Sequence, residues 1–311
     1  MMPSDNLVPI FIPSYHRPDN VLTAKYFVRQ GWDPKKIFVV IDSEADDKAL
    51  YEANCAALGV NLRVFDIEEG RRRFDFVHRA SVSRRAAGLA RNCFYEIAEA
   101  EGISFYCVID DDTDHFQIRP MAKYIRLANG EDIANVFAAV RDWMQKRHIG
   151  CWGLSQTGDL FEKRYFKLIR RKVMNTTFYD TRFIYRGERG VQDNDTSQFV
   201  GIMNEGYFTG SLGSGLILKQ KPSATQSGGL TDLYHECKLL NKSLIAPIQF
   251  PSCIRAEKQV RNGGRLHHRI AYRYLAPCLL RGERDNLAWD AYPEDGKFTN
   301  EPKRTEAEHY E

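Results

Sequence analysis

Four aspartates stand within five positions where an apolar run stops: Asp110, Asp111, Asp112 and Asp114, in the stretch CVIDDDTDH from Cys107 to His115. Like charges this close disfavour one another's ionised forms unless a cation or hydrogen-bond donors compensate them. Mg²⁺ and Mn²⁺ take oxygen ligands, commonly one or two carboxylates with phosphate oxygens and waters completing the shell. In an extended segment alternate side chains share a side, so Asp110 and Asp112 have the spacing to hold such a cation while Asp111 points elsewhere. The chemistry open to them is the holding of a phosphate or pyrophosphate through a metal. The plainer alternative is a solvated turn or a helix cap, for which aspartate is equally suited.

The elements that would position these carboxylates are short apolar, β-branched runs. LVPIFI ends at Ile12, KIFVVI at Ile41, NLRVF at Phe65 and SFYCVI at Ile109, with helical patterns between them. That alternation predicts parallel strands buried on both faces. Val82, Ala86, Leu89, Cys93 and Ile97 recur at helical spacing, widened by Ala90 and Phe94, which predicts a helix with one face on the sheet. A second helix is expected from Ile133 to Met144, with Val136, Phe137 and Val140 on its apolar face. From Ile149 the alternation loosens into IGCWGLS, TRFIYR and SGLILK, the pattern of a mixed or antiparallel sheet. The stretch from Glu283 is polar, contains proline and has no period, so a tail is expected there.

Three strand ends carry polar or anionic groups: PSYHRPDN follows Ile12, DSEADD follows Ile41 and DDDTD follows Ile109. In an open parallel sheet, ligands bind in the crevice outside the carboxyl ends of the strands, so these loops converge on one site. Convergence weighs against three unrelated caps. A G-x-x-x-x-G-K-[ST] phosphate loop is absent, and no G-x-G-x-x-G follows the first strand, so phosphate has to be held another way.

Composition sets wide bounds. The chain has 311 residues, 43% hydrophobic and 27% charged, which suits a soluble globular fold, and its formal charge of +3 permits a polyanionic partner without requiring one. Seven cysteines without a C-x-x-C pair, mostly in apolar surroundings, fit reduced thiols rather than a zinc site or a disulfide framework. The opening MMPSDNLVPIFIPSYHRP has no cationic start, and its apolar run is short and broken by proline; neither a signal peptide nor a membrane span is expected, and the expected location is the cytoplasm.

The motifs IPSYHRP, VVIDS, AAGLARN and VIDDDTD fall in an order that resembles nucleotide-sugar-dependent glycosyltransferases of the GT-A fold, over most of residues 8 to 114. More narrowly, the IPSYHRP opening with a triple-aspartate motif resembles the phage and eukaryotic glycosyltransferases associated with TET/JBP dioxygenases, which attach sugars to hydroxymethylated pyrimidines in DNA. The resemblance implies a GT-A, Rossmann-like α/β fold: a mostly parallel sheet flanked by helices, with a mixed-sheet acceptor-side extension. It implies one catalytic unit over residues 1–282, with 1–114 binding the nucleotide-sugar and 115–282 facing the acceptor, followed by a tail at 283–311. It further implies a hexosyl donor, a UDP-sugar, used with Mn²⁺ or Mg²⁺.

Carried over residue by residue, the resemblance places Pro13, Ser14 and Arg17 beside the nucleotide, Asp42 on the base and Arg91 near the pyrophosphate. It directs Asp110 to the ribose and Asp112 to the metal, with Asp111 in the nucleotide-binding set and Asp110 also a metal candidate. Arg91 reads equally well as an exposed helix residue, Asp42 as a turn aspartate, and His16 better as a loop histidine. A cation and an arginine would stabilise the charge that develops on the leaving nucleoside diphosphate. An inverting transferase also needs a carboxylate to take the acceptor's proton. RGERGVQDNDTSQF offers Asp193 and Asp195, although the family pattern has Glu-Asp where this chain reads Gln192-Asp193-Asn194-Asp195, and the segment also reads as a cap for a helix at Thr196. NGGRLHHRI supplies His267 and His268, resembling the C-terminal histidine of the metal shell in many such enzymes.

For DNA, two stretches interleave cations with aromatics, RRRFDFVHRASVSRR from Arg71 to Arg85 and EKRYFKLIRRK from Glu162 to Lys172. Arg255, Lys258, Arg261, Arg265 and Arg269 add a third basic set. Phosphate contacts and base stacking would suit an exposed or flipped base, and a solvated charged face is the plainer reading of each stretch. Sugar transfer to a glycan or small molecule, and nucleotidyl transfer on a related fold, are the alternatives; a non-catalytic DNA-binding module would not need the aspartate triplet.

Overall fold

The computed structural model describes residues 7–73, 87–118, 125–127, 129–147, 149–156, 168–169, 173, 175–182, 198, 202, 209–219, 254–262 and 265–272. Four parallel strands form one half of its sheet: β1 (Ile10–Pro13), β2 (Ile37–Asp42), β3 (Asn61–Phe65) and β4 (Phe105–Ile109), in the order β3-β2-β1-β4. All of β2 and β4 is buried, the signature of strands covered on both faces. The helices α1 (Leu22–Arg29), α2 (Lys48–Leu58), α3 (Ile67–Arg73) and α4 (Ala87–Ala100) lie in the connections. Gly59, at φ 70°, closes α2 in the left-handed conformation that a residue with a Cβ adopts only at a cost.

Period-two alternation sorts the core into two layers. Ile10 and Ile12 face one side with Phe27, Trp32, Phe137 and Phe178; Phe11 faces the other with Phe38, Phe94, Tyr106 and Tyr179. Phe11 stacks on Phe38 at 4.9 Å between ring centroids, and Phe137 meets Phe178 edge-on at the same distance. On α4, Leu89, Ala90, Cys93 and Phe94 are buried and Ile97 packs against the layer that holds Ala90 and Phe94, as the stripe predicts; Val82 and Ala86 lie outside the described residues.

The second half is mixed. It comprises β5 (Thr113–Ile118), β6 (Ile125–Arg126), α5 (Gly130–Lys146), β7 (Cys151–Gln156), β8 (Leu168–Ile169), β9 (Thr176–Asp180) and β10 (Ser211–Lys219). The ten-stranded sheet continues β4-β9-β7-β10-β5-β6, with β8 on β10. β9 is antiparallel to β4 and β7, whereas β10 is parallel to β7 and antiparallel to β5. A separate hairpin joins β11 (Ile254–Asn262) and β12 (Arg265–Tyr272). The mostly parallel α/β sheet with a mixed extension is thus what the chain adopts, with the four consecutive parallel strands β3-β2-β1-β4 gathered at one side. IGCWGLS contains most of β7 and SGLILK lies in β10, while TRFIYR gives only a turn at Thr181 and Arg182 before leaving the described residues. The stretch from Glu283 also lies outside them. No helix among the described residues is long and apolar enough to cross a membrane. Cys55, Cys93, Cys107 and Cys151 are buried.

Candidate active site

The loop after β1 is tied to the sheet at once, because the Ser14 amide donates to the Val40 carbonyl at 3.0 Å and extends the ladder past Pro13. His16 then takes a left-handed φ of 52° and turns the chain towards α2. There the Arg17 amide donates to the Tyr51 hydroxyl at 3.0 Å, and that hydroxyl lies 2.8 Å from Ser14 Oγ. Ser14 has one proton and gives it to Asp111 Oδ2 at 2.8 Å, so Tyr51 is the donor to Ser14. The Arg17 guanidinium closes the ring on Asp111 Oδ1 at 2.9 Å. Burial pushes the Tyr51 phenol up to about 12, which keeps it the donor this direction requires.

Asp111 therefore has both oxygens held by the β1 loop. Burial raises its carboxyl to about 6; Arg17 and Ser14 oppose that rise, and the charges of Asp112 and Asp110 add to it. Asp110 is oriented from α4, where Arg91 donates to its Oδ1 at 3.1 Å. Asp112 is only 2% exposed. The extended alternation expected for the triplet is not what forms: Asp111 and Asp112 make a turn between β4 and the antiparallel-paired β5. Its physical cause is a set of bonds to the start of α1. Thr23 Oγ1 donates to the Asp110 carbonyl and accepts from the Thr113 amide at 3.0 Å, and the Thr23 amide donates to the Asp111 carbonyl at 3.1 Å. From the other side, the Asp110 amide donates to the Asn175 carbonyl at 3.1 Å, just before β9.

The structure thus brings Ser14, Arg17, Arg91, Asp110, Asp111 and Asp112 together at the carboxyl ends of β1 and β4. Asp42 ends β2, 4% exposed, and closes its own loop by accepting the Glu44 amide at 2.9 Å. His16 pairs with Asp47 at 3.4 Å on the surface, as a loop histidine would. Asp193 and Asp195 lie outside the described residues. His267 and His268 fall on β12, opposite Val260 and Gln259. Of the first basic stretch, Arg72 pairs with Glu69 and Arg73 with Glu96, and residues 74–85 lie outside the described set; of the second, only Leu168 and Ile169 are described. Sequence reasoning missed Thr23, Tyr51 and Asn175, for which no motif or charge gave a signal. Among the described residues, no three His, Cys, Asp or Glu side chains gather as a metal cluster.

A mycobacterial protein of known crystal structure superposes with a TM-score of 0.44 at 12% identity, covering 87% of this chain and 86% of that one. Glucosyl-3-phosphoglycerate synthase from Mycobacterium tuberculosis, in complex with Mn²⁺, UDP and phosphoglyceric acid, gives 0.41 at 9% identity, covering 87% and 89%. Likenesses this distant leave the chemistry of the site to its own residues. No curated protein matches the chain. Residues 8–179, more than half of the sequence and the span that carries the whole aspartate network, match the TET-associated glycosyltransferases, and the chain belongs to that family.

Proposed function

We propose that this glycosyltransferase moves a sugar from a nucleotide-sugar, a UDP-sugar, to the hydroxyl of a hydroxymethylated pyrimidine in DNA, with a divalent cation at the aspartate turn. One observation carries the reading: the loop after β1, the helix α4 and the turn after β4 converge on three carboxylates at the sheet's carboxyl edge, where an open parallel sheet receives its ligand. Family membership favours sugar transfer over nucleotidyl transfer.

The donor set fits a hard cation. Asp110 and Asp112 flank Asp111 where β4 gives way to the turn at the sheet's carboxyl edge, and two carboxylates with phosphate oxygens and waters suffice for Mg²⁺ or Mn²⁺. Bound there, the cation would supply charge stabilisation to the leaving diphosphate. Arg91 orients Asp110 and brings a second positive charge to the same edge. Ser14, Arg17 and Tyr51 hold Asp111 and so fix the floor under the nucleotide, and Asp42 stands at the neighbouring strand end where the base would lie. Asp193 or Asp195 would take the acceptor's proton, and His267 or His268 would complete the metal shell.

The DNA acceptor rests on the family's association with TET enzymes and on the basic stretches of the sequence. The test is a mass measurement on DNA containing hydroxymethylcytosine or hydroxymethyluracil, incubated with a panel of nucleotide-sugars and Mn²⁺ or Mg²⁺. The modified DNA should become heavier by one sugar and unmodified DNA should not. Chelator or Asp112→Asn should abolish the gain, and one of Asp193→Ala and Asp195→Ala should slow it by about 10²–10⁴-fold. Transfer to a glycan or small molecule with none to any modified DNA would overturn the acceptor; full activity in excess chelator would overturn the metal.

A further inference from the structure

Thr23 is the second residue of α1 and is fully buried, and the reaction proposed above gives it no role. Three groups of the aspartate turn end on it. The Asp110 carbonyl belongs to the peptide joining 110 to 111, the Asp111 carbonyl to the peptide joining 111 to 112, and the Thr113 amide to the peptide joining 112 to 113. Each peptide is a rigid plane, and the two planes flanking a Cα set that residue's φ and ψ. Three consecutive planes tied to one residue therefore fix the backbone of both Asp111 and Asp112. The Asn175 carbonyl holds the preceding plane through the Asp110 amide, which fixes Asp110 as well.

The hydroxyl is the part of Thr23 that a substitution can remove. It donates its one proton to the Asp110 carbonyl and uses a lone pair for the Thr113 amide, so it bridges the first and last planes of the turn. These partners stand 87 and 90 residues from it in sequence, so the constraint is tertiary and no local turn preference supplies it.

We propose that Thr23 is a positioning residue for metal binding: its hydroxyl sets the directions in which Asp110 and Asp112 present their carboxylates. This rests on the reading that those two aspartates hold the cation. Groups behind a metal's direct ligands typically govern affinity by about 10–100-fold, because they fix ligand orientation. Thr23→Val keeps the shape and removes the bridge, whereas Thr23→Ser keeps the bridge and removes only a methyl.

The experiment is a Mn²⁺ titration followed by electron paramagnetic resonance, on the full chain with saturating UDP, for the wild type and both variants. Thermal unfolding in chelator is recorded alongside. Thr23→Val should weaken Mn²⁺ binding by about 10–100-fold while still unfolding cooperatively in chelator, and Thr23→Ser should stay within about threefold of the wild type. Wild-type affinity in Thr23→Val overturns the proposal. So does a Thr23→Ser variant weakened about 10-fold or more against the wild type, an outcome that decides the matter even should Thr23→Val fail to fold. If the wild type itself binds no Mn²⁺ with UDP, the metal reading falls and takes this proposal with it; failure confined to the variants leaves that reading standing.

Discussion

Two sets of ion pairs in the parallel half use the same groups under opposite conditions. At the carboxyl ends of β1 and β4, Arg17 meets Asp111 at 2.9 Å, with side chains 14% and 7% exposed. Beside the edge strand β3, Arg63 meets Glu101 at 2.6 Å with about a third of each side chain exposed, 34% and 30%. The second pair rims a groove of about 290 Å³ that Phe65, Ile97 and Ala100 also line. Distance alone would rank the edge pair first, yet water screens it and long side chains must be ordered to form it, so such pairs contribute about 0–1 kcal/mol. In the crevice the charges are out of water, and each depends on its partner. Short ion pairs therefore do not by themselves mark a candidate site; a carboxylate kept where ionisation is disfavoured is what sets the crevice apart from the edge.

The largest stability effect should follow from breaking the crevice pair. Arg17→Ala leaves Asp111 buried beside Asp110 and Asp112 and should cost about 3–5 kcal/mol, read from urea unfolding in chelator. Adding Asp111→Asn to it should restore part of the loss, since the stranded charge is gone; purely additive losses would show that the two residues do not act as a pair.

A smaller effect is expected from Tyr51→Phe, which removes one donor from the ring and leaves the Arg17 amide without its acceptor, at about 1–3 kcal/mol. The folded state holds the Tyr51 proton up to about 12, against an ordinary phenol value of 10.0. This raised value contributes stability that is complete below pH 10 and is lost as the pH rises to about 12. The gap between wild type and Tyr51→Phe should therefore narrow over that window, and a constant gap would remove Tyr51 from the ring.

The smallest effect should come from the edge. Glu101→Gln should change stability by no more than about 1 kcal/mol, and added salt should shrink the change further. A loss as large as that of Arg17→Ala would erase the distinction between the two regions.

The parallel strands were legible because continuous β-branched and aromatic runs need no partner to be recognised: the expected ends at Phe65 and Ile109 stand, and those at Ile12 and Ile41 move by one residue. β5 and β9 were not legible. The run TTFYD of β9 carries two threonines and an aspartate, all buried, and Arg182 binds Asp180 there through its side chain and amide. In the site, charged residues at strand ends announced themselves, since a strand that ends in acids and arginines departs from the ordinary turn composition. Their directions did not. Which way Asp111 points depends on Thr23, Ser14 and Arg17, between 88 and 97 residues away in the chain, and a helical threonine or tyrosine reads as core until its partner is known.

The antiparallel docking of β9 on β4 has a consequence for biosynthesis. Ile109 pairs with Thr176 and the Asp110 amide with Asn175, so the strand that completes the edge of β4 is made some 65 residues after it. A nascent chain that has emerged only as far as the aspartates carries β4 with one side unpaired, the kind of edge that recruits foreign strands. The acid turn can take its final form only after Asp180 has left the ribosome, which makes the site one of the last features of this half to be set and exposes the growing chain to aggregation until then.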